Sequence, residues 1–111
     1  MAYVYYVINR NPPFITRSGE PLTLLHSITH SDYEVPVPIT FDYEIRGDGV
    51  TFPDGTLQYE SQRSHTQKPD EIADPIILVS TDGQDHLIQI HVTADIEGDS
   101  QSDDISVQVI V

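Results

Sequence analysis

The chain has 111 residues, 38% of them apolar, and 18 Asp and Glu against 5 Lys and Arg give it a net charge of −13. That length holds one domain with one core, and the charge argues against nucleic-acid binding and peripheral membrane attachment, because phosphate backbones and anionic headgroups repel it. The absence of cysteine rules out disulfides, thiolate metal sites and a cysteine nucleophile, and the longest apolar runs fall far short of the roughly 20 residues a membrane-spanning helix needs.

In chain order, Tyr3 to Ile8 and Leu22 to Ile28 are rich in β-branched and aromatic residues and bounded by turn formers. Ile39, Phe41, Tyr43 and Ile45 then alternate with Thr40, Asp42, Glu44 and Arg46, the two-residue period of a half-buried strand. Thr56 to Glu60 and Ile76 to Ser80 are shorter candidates. Ile88, Ile90, Val92 and Ala94 alternate with Gln89, His91 and Thr93, and Ile105, Val107, Val109 and Val111 form the last alternating set. Ser61 to Pro75 reads as one long polar crossover, with at most a helical turn around Pro69 to Ala73. Gly47-Asp48-Gly49, Pro53-Asp54-Gly55 and Thr81 to Asp85 supply the turns. This pattern predicts an all-β protein, an immunoglobulin-like antiparallel β-sandwich of about seven or eight strands.

Residues 1–13 are expected to form the linker and strand of a domain seam, ahead of a sandwich over 14–111, since proline stiffens a seam without needing a ladder partner. Asn9-Arg10-Asn11-Pro12-Pro13, the segment Asp54-Gly-Thr-Leu-Gln-Tyr59, and the acidic turn followed by the strand Ile105 to Val111 together resemble the cadherin-like and immunoglobulin-like tandem repeats of bacterial surface adhesins. The resemblance implies an extracellular or cell-surface domain acting in cell adhesion, with neighbouring repeats of the same chain and a cell-surface protein or glycan as partners. Neither the cadherin Asp-x-Asn-Asp-Asn linker nor the Gly-Gly-x-Gly-x-Asp calcium nonapeptide is present.

The strongest chemical signal is Asp95, Glu97, Asp99, Asp103 and Asp104, five carboxylates within ten residues. Calcium takes about 6–8 oxygen ligands, and alternate carboxylates around a glycine can wrap such an ion. The last turn should lie where the first strand enters, so Asn9 and Asn11 are expected to complete the calcium site and stiffen consecutive domains. A second acidic group, Asp82 and Asp85 with Asp48 and Asp54, is read as ordinary turn residues. Arg46-Gly47-Asp48 sits at an expected hairpin tip, where a glycine-flanked turn explains it. The five histidines show no metal-ligand spacing. Tyr43 and Tyr59 belong to inward sets, while Tyr5 and Tyr33 are freer. No nucleophile elbow or phosphate loop occurs, so catalysis is not expected. Two other classes compete with the spacer: a carbohydrate- or peptide-binding module, and an immunoglobulin-like decoration domain of a virion.

Overall fold

A computed structural model describes residues 4–9, 14–30, 36–65 and 70–111. Its elements are β1 (Val4–Ile8), β2 (Phe14–Arg17), β3 (Pro21–His30), β4 (Val37–Arg46), β5 (Val50–Thr51), β6 (Gln58–His65), β7 (Asp70–Ile77), β8 (Val79–Ser80), β9 (His86–Ile96) and β10 (Asp99–Ile110). One sheet has the order β1-β3-β7 and the other β2-β10-β9-β4-β6, with β5 and β8 forming a small ladder at the side. The two sheets face each other in an immunoglobulin-like sandwich.

Strict alternation builds the core. Ile39, Phe41, Tyr43 and Ile45 from β4 meet Ile88, Ile90, Val92, Ala94 and Ile96 from β9 and Ile105, Val107 and Val109 from β10, all buried. Leu24, Ile28 and Ile76 close it from the three-stranded sheet. Each inward side chain removes its apolar surface from water, and this burial is the main favourable term of folding.

Four expectations are corrected. Ten strands are present among the described residues instead of seven or eight, because two-residue pieces pair at the side and the first strand is divided. β1 pairs with β3 and puts Val4, Tyr6 and Ile8 into the core, so the sandwich takes in a strand that precedes residue 14. The chain then crosses to the other sheet, where β2 pairs with β10 in parallel, Val107 opposite Phe14 through Ile110 opposite Arg17. The crossover read at 61–75 is instead most of two strands. β6 lies at a sheet edge and turns mostly polar residues to solvent, so it lacks apolar alternation, and β7 replaces the helical turn from Asp70 onward.

The long dimension is 47 Å against 26 and 18 Å. β1 starts opposite His30, at the end that also carries the β9–β10 turn, and β10 runs to the other end beside β2. Phe41 is fully buried and its ring lies 4.0 Å from that of His26. Phe41→Ala is therefore expected to lower the unfolding free energy by about 3–5 kcal/mol in urea titrations. Leu87, 76% exposed, should tolerate alanine within about 0.5 kcal/mol.

Candidate functional site

The acidic segment is a hairpin. Ile96 pairs with Asp99, leaving Glu97 (φ 50°) and Gly98 (φ 92°) as a two-residue turn with both φ values positive. Such a turn matches the twist of the flanking strands and favours glycine at its second position. Asp95 accepts the Gly98 N–H at 3.3 Å. The remaining acids lie on strands, where successive side chains point to opposite faces. Asp103 shares the face of Ile105 and accepts the Ile8 N–H at 2.9 Å, tying β10 to the end of β1. Asp104 shares the outer face with His91, whose Nδ1 lies 2.6 Å from its carboxylate. Asp95 is on that outer face and Asp99 on the inner one.

The five carboxylates therefore divide between two faces and a turn, and among the described residues no three His, Cys, Asp or Glu side chains converge to hold an ion. Asn9 is exposed and gives its backbone N–H to the Leu25 carbonyl at 3.0 Å, so it lies where the chain leaves β1, away from the hairpin tip. Asn11 and Tyr33 lie outside the described residues. At the other end Asp82 and Asp85 act as turn residues: Asp82 binds His86 Nε2 at 2.7 Å and the Gln84 N–H at 3.0 Å, and Asp85 accepts the Val111 N–H at 2.9 Å. These bonds, the one from His86 foremost, hold the Asp82 carboxyl below its usual range. Arg46, Gly47 and Asp48 are exposed as expected, with Arg46 paired to Glu44 at 3.1 Å.

The most constrained polar chemistry is inside the sandwich. Asp74 on β7 is fully buried. Its Oδ2 accepts the Tyr43 hydroxyl at 2.6 Å, and its Oδ1 accepts Ser61 Oγ at 2.9 Å, Arg63 Nε at 2.9 Å and a second Arg63 nitrogen. Because an ionised carboxylate only accepts, Tyr43 must donate to it, and the Tyr43 oxygen then accepts the His26 Nε2–H at 2.7 Å. That fixes the tautomer: His26 Nδ1 is an acceptor, and the Tyr6 hydroxyl donates to it. The hydrogen bonds run one way, from Tyr6 through His26 and Tyr43 to Asp74, and they pass between the sheets twice.

Burial raises the Tyr43 hydroxyl pKa far above its ordinary value, and its hydrogen bond to Asp74 raises it further. The hydrogen bond that Arg63 donates to Asp74 likewise raises the pKa of the Arg63 guanidinium. Tyr59 was expected inside but is 42% exposed, stacked on Tyr43 with centroids 5.9 Å apart at the sandwich edge. Sequence reasoning gave Asp74 no role and considered the histidines only for metal-ligand spacing. The signal was parity: His26 falls between Leu24 and Ile28, and Asp74 between Ile72 and Ile76.

The outer face of the five-stranded sheet holds an open depression of about 410 Å³ lined by Asp42, Glu44, Gln58, Glu60, His91 and Thr93, with the two stacked tyrosines. Asp42 lies directly opposite Glu60, a like-charge pair that weakens the sheet locally. No family model matches this chain, and no curated protein matches it closely enough to count as a relative.

Burial pushes the pKa of His26 down from its ordinary 6.5 to about 4, with the Asp74 charge pulling partly the other way. Below the unfolded value, the unfolded chain takes up a proton that the folded chain refuses. Stability should thus fall as pH drops from 6.5 towards 4 and level off below, a loss of about 3 kcal/mol from this group. His26→Gln, which can still donate and accept, should show a shallower decline over that window in urea titrations at stepped pH. An identical slope in the variant would contradict the assignment.

Proposed function

We propose that this domain is a non-enzymatic, extracellular structural repeat of a cell-surface adhesin, and that it carries tension along its length. The observation that supports this reading is the parallel pairing of β2 with β10. Both strands run towards the same end of the module, while β1 leads into β2 from the opposite end. Force drawing the first strand one way and the last strand the other therefore acts along the β2–β10 ladder and loads its hydrogen bonds together. Antiparallel strands pulled from a shared end separate one bond at a time.

The surface agrees with a spacer. The outer face of the larger sheet is polar and acidic, which keeps neighbouring modules soluble and discourages collapse onto one another. Its large exposed apolar side chains, Ile15 and Leu87, are set apart by Gln108 in the same row. Calcium stiffening is the second arm of the proposal, with Glu97 and Asp99 at the hairpin tip, next to Asp95, as the place where an ion would meet a neighbouring module.

Single-molecule pulling tests the first arm. The chain has no cysteine, so Gln84→Cys gives a unique handle in the turn just before β9. Pulling from the two chain ends should require clearly more force than pulling between residue 84 and the C-terminal end, which unzips β10 from β9. Equal forces in the two geometries would remove the load-bearing role. Thermal melts in calcium and in chelator test the second arm: a raised midpoint supports the ion, and an unchanged midpoint leaves the ladder as the sole source of stiffness.

A further inference from the structure

Three Asp-Gly steps occur in the turns, at Asp48-Gly49, Asp54-Gly55 and Asp82-Gly83. In such a step the glycine amide nitrogen can attack the aspartate side-chain carbonyl carbon, because no Cβ shields it. The attack requires the neutral carboxyl, since a carboxylate is a poor electrophile. Hydrogen-bond donors that hold the anion therefore protect the step.

Two of the three steps are protected. Asp54 Oδ1 accepts the Thr56 hydroxyl at 2.6 Å and the Thr56 N–H at 3.0 Å. Asp82 Oδ1 accepts from His86 and Gln84 and lies 3.2 Å from the Ser80 hydroxyl. Both carboxyls are held below their usual range by these bonds, the Thr56 and His86 side chains contributing most. Asp48 is exposed, and among the described residues no hydrogen bond or ion pair reaches its carboxylate.

We propose that Asp48 is a modification site, where the chain isomerises spontaneously to isoaspartate. The Gly49 nitrogen bonds to Asp48 Cγ and one water leaves, closing a five-membered succinimide. Water then adds at the main-chain carbonyl, the bond from that carbon to the Gly49 nitrogen breaks, and the chain continues through the side-chain carbonyl. One water is lost and one regained, so the mass is unchanged, but the backbone gains a methylene.

The turn has little room for that change. Gly49 has φ +84°, and a Cβ on it would lie 2.3 Å from the His86 ring, while its carbonyl accepts the Thr81 N–H at 2.9 Å. Lengthening the backbone at residue 48 displaces this contact, loosens the β5–β8 ladder beside it and alters the exposed Arg46-Gly47-Asp48 turn.

The test is to age the folded chain at neutral pH and physiological temperature, beside a sample kept unfolded in urea, and to map isoaspartate by electron-transfer mass spectrometry. In the folded sample residue 48 should carry several-fold more isoaspartate than 54 or 82, and in urea the three should be similar. Thr56→Val, which removes one donor to Asp54, should raise isoaspartate at residue 54 in the folded chain. Equal amounts at the three steps when folded, an excess at 54 or 82, no isoaspartate at 48 while the urea sample accumulates it, or no rise at 54 in the variant would overturn the proposal.

Discussion

A fully buried carboxylate, Asp74, sits between the two sheets of this sandwich near one of its edges. Moving a charge of that kind out of water costs several kcal/mol unless donors surround it, and here the donors come from the sheet opposite the one that carries the charge. Asp74 comes from the three-stranded sheet, whereas Tyr43, Ser61 and Arg63 come from the five-stranded one. The two sheets can satisfy this group only in one relative position. Apolar side chains tolerate sliding and repacking, but a hydrogen-bonded anion does not. The same constraint reaches the first strand, because the chain of donors continues through His26 to Tyr6 on β1.

This geometry links stability to mechanics. β1 is held at its middle by Tyr6 and at its end by Asp103 on β10, just before the chain crosses to β2. Under the proposed load-bearing role, tension on the first strand would pass partly into the buried polar chain and partly into β10. Arg63 enters from the edge where β6 and β7 end their sheets and keeps 41% of its side chain exposed, so the clasp joins the two sheets along that side of the sandwich. The network and the parallel ladder hold different parts of the same path between the two ends.

Much of the fold was legible in the sequence, and most of the site was not. Ile39 to Ile45, Ile88 to Ala94 and Ile105 to Val109 alternate so cleanly that their strand character and inward faces follow from period alone. β2 and the part of β6 beyond Glu60 were hidden for a physical reason: edge strands bury few side chains, and Ser61 occupies an inward position that an apolar residue would have advertised. The acids of the last turn drew attention because they are close in sequence, but the pleat sends Asp103 and Asp104 to opposite faces. Asp74 went unnoticed among ten acidic residues after Lys68, although an acid in register with Ile72 and Ile76 is the more informative observation. Its partners Tyr6, His26, Tyr43, Ser61 and Arg63 are scattered over four strands, β1, β3, β4 and β6, and only the folded register brings them together.

The constraint at the centre of the fold is that Asp74 is a buried anion held by Arg63. Urea unfolding of Arg63→Met, Asp74→Asn and the double variant measures this. Stranding a fully buried charge costs about 3–5 kcal/mol, and less here because Arg63 is partly exposed to water. The account predicts that the double variant is more stable than Arg63→Met alone, since asparagine removes the charge that the arginine was balancing. A double variant that loses the sum of both single losses, or an Arg63→Met as stable as the parent chain, would contradict it.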